Sequence, residues 1–137
     1  MTRQTVLILD FGSQYTQLIA RRVRENKVFS KLIPYNTPAK EIASLSPKGL
    51  ILSGSPLSVV GKKKGFHPDK GIFKLGIPIL GICYGMQVIT EMLGGRVKHT
   101  KEREYGKTEL FIDNNRDLFS NLPGNLTCWA SHGDYVT

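Results

Sequence analysis

With 137 residues, 40% hydrophobic and 22% charged, the chain has room for a single core and has the composition of a globular domain, which excludes fibrous and disordered classes. Nineteen Lys and Arg against eleven Asp and Glu give a formal charge of +8, which attracts anions and acidic surfaces. The cations are scattered apart from Lys62–Lys64, and with no nucleic-acid-binding signature beside them that triplet reads as a solvated loop. Cys83 and Cys128 have neither metal-ligand spacing nor a disulfide framework, so a reducing compartment is expected and no metal. The N-terminal run "TVLIL" is closed by Asp10 before it reaches the length of a secretory core. No segment nears the ~20 apolar residues of a membrane span. The expectation is a cytoplasmic protein without membrane or nucleic-acid partners.

Val6–Leu9 is a short apolar run of the kind buried on both faces of a parallel sheet. Asp10–Ser13 turns the chain, and Gln14–Arg24 reads as a helix with Leu18, Ile19 and Val23 inward and Arg21, Arg22 and Arg24 outward. "VFSKLIPY" (28–35) is a second strand ended by Pro34, and "AKEIASL" (39–45) a short helix. "GLILSG" (49–54) is a third strand running into a Gly/Ser/Pro turn; a long loop and a short helix near Gly71–Leu75 follow. "IPILGIC" (77–83) is a fourth strand. "YGMQVITEMLGG" (84–95) is a helix with Val88, Ile89, Met92 and Leu93 inward and paired glycines as its stop. Beyond it "RVKHT", "TELFID" and "LTCWAS" read as shorter strands with turns at "DNNRD" and "NLPGN". Strand–helix alternation over the first two thirds predicts a doubly wound, mostly parallel α/β sheet with an antiparallel extension. Ligands bind beyond the carboxyl ends of such strands, where Asp10–Ser13, Ser53–Pro56 and Cys83–Gly85 come together.

Cys83 is set as Gly81-x-Cys83-x-Gly85 between an apolar strand and an amphipathic helix, the cysteine counterpart of the G-x-S-x-G nucleophile elbow. The tight turn strains the nucleophile's backbone and leaves no room for side chains two positions either side, so glycine serves at both. A helix N-terminus at the sulfur favours thiolate, and its free amides can stabilise an oxyanion. Cys128 lacks that setting and reads as a core residue.

These segments resemble the class I (triad) glutamine amidotransferases, and within them the N-terminal domains of the GMP synthases. The resemblance rests on "ILDFGSQYTQLIARRVRE" (8–25), "LILSGSPLSV" (50–59), "GIPILGICYGMQ" (76–87), "REYG" (103–106) and "WASHGD" (129–134). Tyr84 and Met86 favour the GMP synthase branch over relatives with Leu and His there. The resemblance implies a flavodoxin-like sheet. It also implies that Cys83 attacks the glutamine carboxamide, forms a γ-glutamyl thioester and releases ammonia. The backbone amides of Tyr84 and Ser55 would make the oxyanion hole, Gln87 would hold the α-amino and carboxylate end, and Gly54, Ser131, Gly133 and Asp134 would line the pocket. Ammonia would pass to an ATP-pyrophosphatase (synthetase) domain or subunit that converts XMP to GMP with ATP and magnesium. No cofactor is expected in this chain.

Two departures qualify the resemblance. Ser55 stands where the family usually has a second glycine, and a strained or shifted loop is expected there. The family's catalytic His and Glu lie in a His-Pro-Glu-like segment beyond Thr137, so the expectation is a partial domain over 1–137, C-terminally incomplete and nearly inactive alone. His67–Asp69 ("HPD") imitates that segment but precedes the nucleophile and reads as a loop; His132 is assigned a structural or binding role and His99 a solvated one. Two alternatives stand beside the enzyme reading. One is a catalytically silent glutamine-binding module pairing with a separate synthetase subunit. The other is a different elbow-cysteine enzyme of the intracellular protease and chaperone type, against which "DFGSQYTQ" and "SHGD" weigh.

Overall fold

Four short apolar runs pair into one parallel sheet: β1 (Thr5–Asp10), β2 (Phe29–Pro34), β3 (Gly49–Leu52) and β4 (Ile79–Gly81), in the order β2-β1-β3-β4. The computed structural model describes residues 4–55, 66–111, 118 and 120–136, with the side chains of 99–108 and 128–136 outside that description. The helices are α1 (Thr16–Glu25), α2 (Ala39–Ser44) and α3 (Tyr84–Met92), with a 3-10 helix at Lys70–Lys74. Strands β5 (Val97–Phe111) and β6 (Asn125–Val136) form a separate antiparallel ribbon.

Register decides which side chains share a face. Leu7 pairs with Leu50, and Leu9 with both Leu52 and Ile33. These five join Ile42 of α2, Ile72, and Tyr84 and Val88 of α3 in one buried cluster. Ile8 alternates to the other face, where it is fully buried outside that cluster. Ser30, on β2, donates to the Ala20 carbonyl at 2.8 Å and ties α1 to that second face. The β1-to-β2 and β2-to-β3 steps run in opposite directions across the sheet, so right-handed crossovers place α1 and α2 on opposite faces. The doubly wound sheet is thus as expected, in the flavodoxin-like strand order, whereas the antiparallel strands expected to extend it pair with each other as a separate ribbon.

The structure corrects several details. Leu18 is 45% exposed, because α1 turns Thr16 and Ala20 inward instead. Leu93 lies past the end of α3 and is exposed; Gly94 and Gly95 stop the helix by donating to Glu91 and Thr90. "RVKHT" and "TELFID" belong to one strand, β5, with a register shift between His99 and Glu104. The polar run between them interrupts the apolar pattern, yet ladder bonds in a two-stranded ribbon need no continuous apolar face. The "DNNRD" turn lies outside the described residues.

"HPD" has a structural use. The Asp69 carboxylate accepts from Gly71 N–H at 2.9 Å and from Ala39 N–H at 2.8 Å, capping the 3-10 helix and the start of α2 together. Those two bonds hold its carboxyl below the usual carboxylate range, the Ala39 bond contributing most. The folded-state pKa is depressed, so the stabilisation is fully present above the unfolded pKa of about 3.9 and is lost as pH falls through the folded value. Asp69→Ala is expected to lower the thermal midpoint at pH 7. The gap from wild type should close as pH drops below about 4, whereas a gap independent of pH down to pH 2 would contradict the capping role.

Candidate active site

The chain leaves β1 toward β2 on one side and β3 toward β4 on the other, so the loops after β1 and β3 diverge and open a crevice at the carboxyl edge. A cavity of about 390 Å³ fills it, lined by Gly12–Tyr15 after β1, by Gly54 and Ser55 after β3, and by Cys83 after β4. A buried relay holds the walls: Thr16 Oγ1 donates to Ser53 Oγ at 3.0 Å, and Ser53 Oγ donates to the Leu9 carbonyl at 2.7 Å. One hydrogen-bonded line therefore fixes the first turn of α1 to the ends of β3 and β1. Gly54, Ser55 and Cys83 meet as the sequence implied; Ser13, Gln14 and Tyr15 are additional cavity residues. Asp10–Ser13 was legible as reaching this edge, but which part of the loop faces the nucleophile depends on strand order.

Cys83 precedes α3 with φ 53° and ψ −114°, left-handed backbone that costs a non-glycine residue on the order of 1–3 kcal/mol. Packing enforces it. A Cβ at Gly81 would lie 2.6 Å from the N and Cα of Met86, and one at Gly85 would run into the Leu52 carbonyl, 2.6 Å from its carbon. Ile82 N–H donates to that carbonyl oxygen at 3.0 Å. The two glycines thus let the first turn of α3 press onto its own strand and on β3, which drives Cys83 outward, where it is exposed.

The sequence pattern led to the expectation that the helix N-terminus favours thiolate. Although the residue is exposed at its surface, partial burial of the thiol pushes it up and opposes the helix N-terminus, and among the described residues no side chain hydrogen-bonds the sulfur. The Tyr84 ring is buried against Phe11, with centroids 5.5 Å apart, and its hydroxyl donates to the Phe66 carbonyl at 2.9 Å. Burial, then the charge of Glu91 and the neighbouring Tyr35, raise the phenol to about 12. The phenol is therefore no acid at neutral pH, and what Tyr84 offers is its backbone N–H. The next amides are spent, Gly85 N–H on Ile82 O and Gln87 N–H on Cys83 O.

Gln87 lies one turn along α3 and is 5% exposed. Ser55 is not among the residues with positive φ, so the strain expected from its replacing glycine does not arise: an ordinary backbone conformation suits serine there. Ser131, Gly133 and Asp134 lie on β6, with Ser131 opposite Tyr105 and Asp134 opposite His99. Their side chains, and those of Cys128, His99 and His132, are outside the described residues. His67 Nε2 is 3.5 Å from Glu91 Oε1, and Glu91 stands eight positions, roughly 12 Å of helix, beyond Cys83. Among the described residues no group of three or more His, Cys, Asp or Glu could hold a metal ion, and no helix is long and apolar enough to cross a membrane.

Two glycines separate fold from access. Gly85→Ala gains up to ~1 kcal/mol of helix propensity but drives a methyl into backbone that cannot yield, so denaturant unfolding should show a net loss of about 1–3 kcal/mol. A Cβ at Gly54 meets Cys83 Cβ and Ser13 Oγ at an ordinary 3.7 Å. Gly54→Ala should leave stability within ~0.5 kcal/mol while slowing alkylation of Cys83 by bulky reagents. A stabilised Gly85→Ala protein would contradict the packing of the turn.

Comparison with known proteins agrees with this geometry. The "Glutamine amidotransferase class-I" family model matches residues 7–137. The GMP synthase [glutamine-hydrolyzing] of Bacillus cytotoxicus is 53% identical over 133 residues, 97% of this chain and 26% of its own length; that of Bacillus anthracis gives the same figures. The chain thus spans about a quarter of these relatives. Among solved structures, a Thermoplasma acidophilum protein described as a GMP synthase subunit superposes with a TM-score of 0.80 at 29% identity, over 99% of this chain and 68% of that one. A Thermotoga maritima glutamine amidotransferase superposes at 0.71 and 19% identity, over 100% of this chain and 64% of that one, which speaks for the fold alone. A match that runs through the sheet, the crevice and the Cys83 turn leaves no place for the protease and chaperone alternative: the chain belongs to the class-I glutamine amidotransferase family.

Proposed function

We propose that the chain is the glutaminase part of a GMP synthase and that Cys83 is its nucleophile. The observation that carries this reading is the strained, exposed Cys83 backbone at the mouth of the switch-point cavity. The thiolate attacks the carboxamide carbon of glutamine and a C–S bond forms. The oxygen that becomes negative would be met by the Tyr84 N–H and the amide at Ser55. The C–N bond then breaks, nitrogen leaves with an added proton as ammonia, and water hydrolyses the thioester to glutamate and free thiol. Gln87 and Gly54, with Ser131, Gly133 and Asp134 on β6, would hold the amino-acid end of the substrate.

Ammonia would pass to an ATP-pyrophosphatase part, a further domain or a partner subunit, where ATP, magnesium and XMP are handled; no cofactor is assigned to this chain. The cytoplasm suits an enzyme that depends on a free thiol. A proton acceptor for Cys83 is not assigned among the described residues. That observation, with the raised thiol, favours a second reading, a silent glutamine-binding module that lends its surface to a synthetase.

Ammonia release separates the two. Since a general base contributes ~10²–10⁴-fold, the 137-residue chain should turn over glutamine slower by that factor than a protein carrying the same span together with a His–carboxylate pair. Cys83→Ala should abolish turnover in both. Equal rates would place a base within this chain, with His132 the first to replace. Glutamine binding without turnover in the longer protein would leave the silent module.

A further inference from the structure

We propose that Ser13 is a positioning residue in the Cys83 cavity, its hydroxyl donating a hydrogen bond to an oxygen of the bound glutamine; this rests on reading the cavity as a glutaminase site. Ser13 lines the same cavity as the nucleophile, from the loop between β1 and α1. The point where Gly54 would carry a Cβ is 3.7 Å from Ser13 Oγ and 3.7 Å from Cys83 Cβ. The missing side chain of Gly54 therefore leaves space within van der Waals reach of both a hydroxyl and the Cβ of the nucleophile.

The hydroxyl has one open function. Its oxygen accepts from Tyr15 N–H at 3.0 Å, which orients the side chain and occupies a lone pair. A serine hydroxyl also donates one proton, and no acceptor among the described residues takes it. The donor is therefore oriented, half-buried and unspent inside the cavity. Glutamine brings only acceptors that such a donor can use, its carboxamide and carboxylate oxygens.

The loop is held as firmly as the nucleophile. Asp10 Oδ1 accepts from Gly12 N–H at 2.8 Å, and Thr16 N–H donates to the Ser13 carbonyl at 3.4 Å. The Thr16–Ser53–Leu9 relay then anchors the turn that follows. Donor and nucleophile follow different strands of one sheet, and the bonds within the β1–α1 loop fix the rest of their spacing. That is the condition under which a single hydrogen bond positions a substrate instead of merely adding affinity.

The test is the modification of Cys83 in the 137-residue chain, followed by mass spectrometry, with a glutamine-derived diazoketone and with iodoacetamide. In wild type the diazoketone rate should saturate with concentration. Ser13→Ala should raise the half-saturating concentration about 3–10-fold, the worth of one hydrogen bond, and Ser13→Thr should restore it to within about twofold. Iodoacetamide rates and denaturation midpoints should stay alike in all three, which a merely structural role for Ser13 would not give. Equal half-saturation in wild type and Ser13→Ala overturns the proposal while leaving the glutaminase reading intact. So does a loss shared equally by iodoacetamide. Absence of saturation in wild type overturns the glutaminase reading and this inference with it.

Discussion

The approach of α3 to the backbone of Leu52 is the constraint from which the site follows. Gly85 has no Cβ, so the first turn of the helix lies directly against the end of β3, and Ile82 N–H can reach the Leu52 carbonyl. Once the helix is that close, the two-residue link between strand and helix, Ile82 and Cys83, cannot keep ordinary φ throughout. Cys83 absorbs the difference at +53°. Strain of on the order of 1–3 kcal/mol is offset by the burial of Tyr84 and Val88 on the same helix, each such side chain contributing ~1.5–3 kcal/mol. The core thus holds the nucleophile in a conformation that it would not keep alone.

Sheet topology supplies the other half. Opposite crossover directions out of β1 and β3 part the loops that follow them, and the elbow opens into the gap. The polar relay from Thr16 through Ser53 to Leu9 matters more than its size suggests, because both hydroxyl side chains are buried and removing one would leave the other short of a partner. The cavity is rigid at the ends of its strands and open toward solvent. What it lacks, among the described residues, is a group to take the thiol proton, and burial makes that proton harder to lose. The geometry is that of a prepared electrophile trap.

Much of this was readable in the residues. Gly81 and Gly85 around a cysteine, after an apolar run and before an amphipathic one, carry the elbow in their spacing, and four apolar strands alternating with helices carry the sheet. The helix faces were less legible: Leu18 looked inward by periodicity, but the tertiary bond of Thr16 to Ser53 rotates α1 the other way. The ribbon was less legible still, since the polar run within β5 has no apolar alternation to read. Ser55 looked strained because a family pattern has glycine there, while the φ of this chain's own loop is ordinary. The part of Ser13 depends on a neighbour 41 positions away, Gly54, a proximity that only strand order creates.

The account turns on one claim, that packing at two glycines presents Cys83 to glutamine in a strained but fixed conformation. A crystal structure of the chain after reaction with a glutamine-derived chloroketone tests it most directly. The account predicts an adduct on Cys83 Sγ, its carbonyl oxygen turned toward the Tyr84 N–H, and a Cys83 φ that is still positive. An adduct on Cys128 instead, or a Cys83 backbone relaxed to negative φ with α3 withdrawn from Leu52, would contradict it.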